Sequence, residues 1–341
     1  MCNTAAYVGS QRAAPILLGL IEAQEGLWGG HYTGLATIHA GKLYHAKVIG
    51  DTAQLREATD AENFPGTVGI VHSRTPSGGD VEWGQPFVAG EEAVAYLAQG
   101  AMGYWKDETD TELMARLLVE AGHSFRSSSD SSIGSYPQLP DGTWTHTSEV
   151  MAHWIAVHLA ESGDPEQAIR QAFSDWPAEI MGLYLTLAEP GTVYGARWNQ
   201  PICVGRDNSG SYLASSPMAF PHDCAWQTWV PPCSVIAVTA EALRITPLGP
   251  PEEALADDID RGEARAAVLE QLAEGESKTA PELHHAVKAL SQCEARIVSC
   301  DPLYQVLTDL EGEGLITHEI ARVKGSAEGL TAPQFRFHLT T

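Results

Sequence analysis

The residue with the clearest chemical potential stands at the start of the chain, in "MCNTAAYVG". If Met1 is removed, Cys2 becomes an N-terminal residue that carries both a thiol and a free α-amine. An unperturbed α-amine has a pKa of about 7.7–8.0, so it can accept the thiol proton without help from a histidine. The pattern therefore predicts an N-terminal nucleophile at Cys2, although chance also explains a lone cysteine at position 2.

Two further segments hold residues that such a nucleophile would need. In "GTVGIVHSRTPSGGDVEWGQPF", Arg74 follows a buried strand, where its guanidinium can present a two-pronged fork to a carboxylate. In "AVAYLAQGAMGYW", the Gln99 side-chain amide and the Gly100 backbone N–H could converge as an oxyanion hole. Taken alone, a surface arginine in a loop and a helix ended by glycine explain the two segments as well.

Composition limits the classes of protein and partner. The 341 residues, 44% hydrophobic and 19% charged, are typical of a globular protein with two domains. No apolar run approaches the roughly 20 residues of a membrane span, and the first residues lack a secretory signal layout, so we expect a cytoplasmic protein without a membrane partner. The formal net charge of −24 disfavours binding to nucleic acid. The six cysteines have no framework or metal-site spacing, so we expect neither a metal nor a cofactor.

Predicted strands and helices, which must position these residues, alternate along the first 250 residues. Grouping of short strands around a few helices favours an α+β sandwich. The β-rich runs are residues 34–40, 42–50, 67–73, 179–189, 192–198, 211–216, 233–240 and 243–248, and the helical runs are 13–24, 91–100, 110–122, 148–163 and 164–176. Residues 126–142 form a long polar loop.

The chain changes character after an acidic, proline-rich stretch at residues 248–260. Three helical patterns at 261–275, 279–290 and 301–316 precede a hairpin pattern, and this layout resembles a winged helix. From residue 251 onward, 17 Asp and Glu face 8 Lys and Arg, and residues 302–310 of the third helix contain no cation. A DNA reader needs cations for phosphates, so a protein-contact or dimerisation role is favoured and a homo-oligomer is expected.

In their order along the chain, "MCNTAAYVG", "GLWGGHYTGLA", "GIVHSRTPSGG", "QPF", "AQG", "TSEVMAHWI", "PICVG" and "YLASSPMAF" resemble the class II glutamine amidotransferases. These are N-terminal-nucleophile (Ntn) hydrolases, and the order is most similar to the glutaminase domain of glutamine–fructose-6-phosphate transaminases (glucosamine-6-phosphate synthases). The resemblance covers residues 2–247 and implies a four-layer αββα sandwich there. A linker at 248–260 and a winged-helix-like domain at 261–341 would follow.

The resemblance also implies roles for single residues. Cys2 would be the nucleophile with its α-amine as base, and Arg74 would clamp the substrate α-carboxylate. Gly100 would donate its backbone N–H to the oxyanion, and Gln99 replaces the family's oxyanion asparagine. Thr75 and Ser77 occupy substrate-binding positions where the family has other residues, which opens the pocket floor.

The family's aspartate for the glutamine ammonium group has two counterparts here. Counting forward from Phe125 selects Asp130, and counting back from the helix at 148 selects Thr147. Asp130 is slightly favoured, because it is the carboxylate in the polar loop before Asp141. With Thr147 in that place, an anchor for a positive charge would be lost, and the natural amide could differ from glutamine.

Two functions follow from these observations. The favoured one is a cysteine amidohydrolase or amidotransferase that releases ammonia from glutamine or a related amide, either into solution or to a separate acceptor protein. The alternative is a catalytically retired Ntn-fold sensor whose winged helix relays ligand binding to a protein or to DNA. The departures around the pocket favour retirement, whereas retention of Cys2 favours activity.

Overall fold

Two antiparallel β-sheets and the helices that flank them form most of the structure, a computed structural model that describes residues 2–100, 109–221, 224–249, 259–291 and 298–340. Met1 and most of the predicted linker lie outside these ranges. In chain order the elements up to residue 249 are β1 Asn3–Gly9, α1 Ala13–Glu22, α2 Glu25–Trp28, β2 Tyr32–His39, β3 Lys42–Ile49, α3 Thr52–Ala58, β4 Val68–Arg74, β5 Phe87–Ala89, β6 Val94–Gly100, α4 Thr111–Glu120, α5 Thr147–Ser162, α6 Pro165–Asp175, β7 Glu179–Thr186, β8 Val193–Arg197, β9 Cys203–Arg206, β10 Gly210–Ala214, β11 Trp226–Trp229, β12 Ser234–Val238 and β13 Leu243–Pro247. Short 3₁₀ turns lie at Ala61–Asn63, Val81–Trp83 and Pro217–Ala219.

The two sheets pack against each other and are covered by helices on their outer faces. The first sheet has the strand order β11-β9-β10-β1-β4-β2-β3 and the second β13-β12-β8-β7-β6-β5. Ile70 and Leu97 belong to the apolar layer between the sheets. Leu17 of α1 lies in the outer layer of the first sheet, and Met151 of α5 lies in that of the second. This arrangement confirms the predicted α+β, four-layer αββα sandwich.

The helices begin where the sequence carries capping residues. Asp164 caps α6 by accepting hydrogen bonds from the backbone N–H groups of Glu166 and Gln167, and Pro165 occupies the first turn. His146 caps α5 by accepting from the Ser148 N–H. These caps confirm the predicted starts of both helices to within one residue.

One element differs from the prediction. Residues 91–100 were expected to be helical, but Val94–Gly100 is strand β6. β6 lies inside its sheet between β5 and β7, and its residues are buried on both faces except at Gly100. A strand covered on both faces has no polar and apolar alternation, so its short apolar run cannot be told from a buried helix by pattern alone.

The C-terminal residues form a separate small core. Its elements are α7 Arg261–Ala273, α8 Ala280–Lys288, α9 Asp301–Gly312, β14 Ile316–Lys324 and β15 Thr331–Leu339. Val268, Leu283, Leu307 and Phe337 are buried together in it. The predicted succession of three helices and a hairpin is confirmed, while its designation as a winged helix and the domain boundaries stay predictions.

The C-terminal module packs onto the segment around α2. Leu27 of α2 is buried in the core of the module, and Arg322 of β14 forms an ion pair with Asp51 at 2.7 Å. On another side, Asp301 at the start of α9 pairs with the buried Arg197 of β8. The module is therefore joined by apolar and polar contacts to α2 and to Asp51 after β3, and by an ion pair to β8 of the second sheet.

No helix within the described ranges is long and apolar enough to cross a membrane.

Candidate active site

Two neighbouring strand ends bring Cys2 and Arg74 together. Strands β1 and β4 are adjacent and antiparallel, and their register places Asn3 opposite Ser73. Cys2 precedes the first residue of β1 and Arg74 is the last residue of β4. Because the two strands are antiparallel, both residues lie at the same end of these neighbouring strands. The Cys2 Sγ lies 4.0 Å from the Oγ1 of Thr75, which in turn lies 2.9 Å from the Oγ of Ser77.

These residues open into one cleft of about 100 Å³ between the edges of the two sheets. Its walls combine a thiol, a guanidinium, a carboxyl group and several hydroxyls, which is the mixture that a small polar ligand needs. The residues that line it are Cys2, Arg74, Thr75, Ser77, Gln85, Ala98, Gly100, Tyr136, His146, Thr147 and Glu179.

The Arg74 side chain is buried, with 1% of its surface exposed, and its guanidinium is oriented by its neighbours. One guanidinium nitrogen donates to the Gly78 carbonyl oxygen at 2.9 Å and another donates to the Tyr136 hydroxyl at 3.2 Å. The guanidinium carbon lies 4.8 Å from the centre of the Tyr32 ring. No carboxylate within the described ranges forms an ion pair with Arg74, so its charge can serve an anionic ligand such as a carboxylate.

Tyr136 and His146 extend this arrangement along the cleft. Burial, together with the positive charge of Arg74, holds the pKa of His146 well below its usual range, so the ring is neutral. Its Nδ1 accepts the Ser148 N–H at 3.0 Å, and the hydrogen therefore sits on Nε2, which donates to the Tyr136 hydroxyl at 3.1 Å. Because the Tyr136 oxygen already accepts from Arg74 and His146, its own hydrogen is directed to another acceptor, such as a bound carboxylate.

Glu179 places a carboxyl group in the wall of the cleft. It is the first residue of β7, is fully buried, and accepts a hydrogen bond from the Ser148 hydroxyl at 2.5 Å. Burial raises the pKa of Glu179 to about 8, and the nearby Cys2 adds to the rise. At pH 7 this group is therefore mainly a neutral acid.

The two residues of the expected oxyanion hole, Gln99 and Gly100, differ in whether they line the cleft. Gly100 lines the cleft, whereas the Gln99 side chain is 2% exposed and donates to the Ser215 hydroxyl at 2.8 Å. An irregularity in the pairing of β6 with β7 falls between these two residues. Gln99 is therefore not among the residues that line the cleft, and its role as an oxyanion donor stays a prediction.

The two candidate residues for the ammonium site, Thr147 and Asp130, also differ in whether they line the cleft. Thr147, at the first turn of α5, lines the cleft. Asp130 is exposed in the polar loop and is not among the lining residues. Of the two, the structure thus places Thr147 and not Asp130 in the wall of the cleft, and the choice between them as the ammonium-site residue stays a prediction.

Five lining residues were not identified as site residues from the sequence: Gln85, Ala98, Tyr136, His146 and Glu179. His146 stands directly before a helix, which indicates a helix cap. Glu179 is a single carboxylate at the start of an apolar strand, which indicates a buried carboxyl group. Neither signal indicates which cleft the side chain enters, because that depends on contacts between distant parts of the chain.

Among the residues that the structure describes, no group of three or more His, Cys, Asp or Glu side chains could hold a metal ion.

Comparison with known proteins finds glutamine–fructose-6-phosphate aminotransferases among the relatives of this chain. No family model matches the chain. Glutamine–fructose-6-phosphate aminotransferase of Aquifex aeolicus is 28% identical over 225 residues, which are 65% of this chain and 34% of that protein. The corresponding enzyme of Chlamydia caviae is 25% identical over 222 residues, 64% of this chain and 32% of the relative. The chain thus spans about a third of the length of these relatives.

A solved structure has a similar fold. Glutamine phosphoribosylpyrophosphate amidotransferase of B. subtilis superposes with a TM-score of 0.58 at 18% identity, covering 85% of this chain and 64% of that one. At this level of identity the likeness concerns the fold alone.

Proposed function

This chain is a homologue of the glutamine–fructose-6-phosphate aminotransferases with the Ntn fold of class II glutamine amidotransferases, and we propose that it cleaves the side-chain amide of glutamine or a related amide. The observation that carries the proposal is the meeting of Cys2 and Arg74 at one cleft. A thiol nucleophile and a carboxylate clamp in the same cleft suit a substrate that carries both an amide and a carboxylate.

The proposed reaction begins after removal of Met1. The α-amine of Cys2 takes the thiol proton, and the sulfur attacks the amide carbon to form a C–S bond. The Gly100 N–H stabilises the resulting oxyanion. Collapse of the tetrahedral intermediate breaks the C–N bond, and the α-ammonium gives its proton to the departing ammonia. Water then attacks the thioester, with the amine again as base, and releases the acid and the free thiol.

The substrate is held from both ends of the cleft in this proposal. Arg74 provides two N–H donors to the α-carboxylate, and the Tyr136 hydroxyl provides a third. Thr75 and Ser77 line the wall beside Cys2. Thr147 also lines the cleft, which supports it as the residue beside the substrate ammonium group in this proposal.

The test is ammonia release from glutamine by the full chain. Cys2→Ala is expected to abolish release, because Cys2 supplies the one thiol among the described residues that line the cleft. Cys224→Ala is the matched control, since Cys224 is also half-buried but lies outside the cleft. Wild-type rates in Cys2→Ala, with an unchanged melting temperature, would remove Cys2 from the mechanism.

We further propose that the C-terminal module contacts protein rather than DNA. Its acidic balance disfavours phosphate binding, and Ile320 on its hairpin is 60% exposed, an apolar side chain available to a second copy or to a separate ammonia acceptor. A cytoplasmic location stays part of this proposal. Ile320→Lys is expected to lower the molar mass measured by light scattering if the contact is a homo-oligomer.

One observation favours the alternative of a ligand sensor. The Asn3 side chain, next to Cys2, accepts from the Trp28 and Gly29 N–H groups at 3.2 and 3.1 Å. This α2 segment also touches the C-terminal module, so the cleft and the module share a structural element. A wild-type chain that releases no ammonia while glutamine raises its melting temperature would favour the sensor.

A further inference from the structure

The proposed reaction leaves one polar group of the cleft without a role, the carboxyl group of Glu179. It is fixed from two sides. Its backbone pairs with Gly100 of β6, and its Oε1 accepts the Ser148 hydroxyl at 2.5 Å. A side chain held by both strand pairing and a hydrogen bond has a defined direction, which a group that acts on a reacting atom requires.

The second carboxyl oxygen lies directly beside Gly100. A Cβ placed on Gly100 would be 2.3 Å from Glu179 Oε2, so the carboxyl group fills the space that a side chain at position 100 would occupy. Only glycine allows this close approach. Oε2 therefore lies against the residue whose N–H is the proposed oxyanion donor, and both Gly100 and Glu179 line the cleft.

Of the two expected oxyanion donors, Gly100 lines the cleft, whereas Gln99 does not and donates one amide N–H to Ser215. A carboxyl group can act as a donor only in its neutral form. Burial favours that form here, with the pKa raised to about 8, and a carboxylic acid kept neutral in an apolar site can donate a hydrogen bond to an oxyanion.

We infer that Glu179, as a neutral acid, donates a hydrogen bond from Oε2 to the oxyanion of the tetrahedral intermediate, in the place left by the Gln99 amide. The proton stays on Glu179 throughout, so the bonds formed and broken are those of the proposed reaction, on which this inference rests. Glu179 thereby acts on the transition state and not on the binding of the substrate carboxylate.

Two variants separate this role from others. Glu179→Ala removes the donor and is expected to lower kcat by about 10²–10³-fold with little change in KM, the usual effect of losing one oxyanion donor. Glu179→Gln keeps an N–H donor that does not titrate. It is expected to retain at least about tenfold more kcat than Glu179→Ala. It is also expected to lack the fall in kcat above about pH 8 that the inference predicts for the wild type.

Glu149→Gln is the matched control. Glu149 is also buried, has a raised pKa and accepts from a serine hydroxyl, that of Ser127, but it does not line the cleft. Its kcat, and the fall in its kcat at high pH (the alkaline limb of the pH profile), are expected to match those of the wild type.

Three results would overturn the inference. The first is a wild-type kcat in Glu179→Ala. The second is a loss confined to KM in both Glu179 variants, which would make Glu179 a binding group for a cationic part of the substrate. The third is an alkaline limb that persists in Glu179→Gln, and this readout remains if the alanine variant fails to fold. Absence of ammonia release from the wild type would instead overturn the proposed function itself.

Discussion

Replacement of Arg74 by lysine tests the carboxylate clamp, because it keeps the charge and removes the fork. In the structure the guanidinium is oriented by three neighbours, the Gly78 carbonyl, the Tyr136 hydroxyl and the Tyr32 ring. A lysine ammonium is a point charge on a flexible stem and cannot make two parallel hydrogen bonds to a carboxylate.

The size of the effect follows from the hydrogen bonds lost. Hydrogen bonds to charged groups contribute about 1.5–3 kcal/mol each. If lysine keeps one of the two bonds to the substrate carboxylate, kcat/KM falls by about 10- to 150-fold. Most of the change is expected in KM, because the carboxylate is bound equally in the ground state and the transition state.

The assay is the initial rate of ammonia release over a range of glutamine concentrations. Arg206→Lys is the matched control, since Arg206 also stacks on an aromatic ring, that of Trp226 at 5.5 Å, but lies away from the cleft. Arg74→Lys with the kcat/KM of wild type and of the control would refute the assignment of Arg74 as the clamp. Melting temperatures of both variants show whether the fold is preserved.

Three further predictions concern stability and binding. Burial raises the pKa of Glu25 from 4.5 to about 7. Between these pH values the carboxyl group of the unfolded chain loses its proton before that of the folded chain, so the free energy of unfolding falls as pH rises. Glu25→Gln should flatten this part of the plot of melting temperature against pH, and an unchanged plot would contradict the prediction. Asp301→Ala should lower the free energy of unfolding in urea by about 3–5 kcal/mol, because it leaves the Arg197 charge buried, whereas Glu313→Ala at an exposed ion pair should have little effect. Asp130→Ala should leave KM for glutamine within about twofold of wild type, since Asp130 is exposed outside the cleft; a large rise would restore it as a binding residue.

Much of the fold could be predicted because its signals are local. The capping aspartate and proline at residues 164 and 165 mark the start of α6, and the apolar spacing after residue 260 indicates three helices. Strand β6 could not be identified from its pattern, because a strand buried on both faces carries no alternation.

The cleft could be predicted only in part. The resemblance linked Cys2 and Arg74, and strand pairing places them at one sheet edge. The direction of the Gln99 side chain depends on the pairing irregularity beside Gly100 and on Ser215, which follows a strand more than 100 residues later. Glu179 enters the cleft because β7 pairs with β6, and no local pattern reveals such a long-range pairing.

The most direct test of the central proposal is the mass of the intact protein before and after treatment with 6-diazo-5-oxo-norleucine, an electrophilic glutamine analogue. We expect a mass that lacks Met1 and, after treatment, one adduct that peptide mapping places on Cys2. Cys2→Ala provides the control and should gain no adduct. A protein that retains Met1 and gains no adduct would contradict the account.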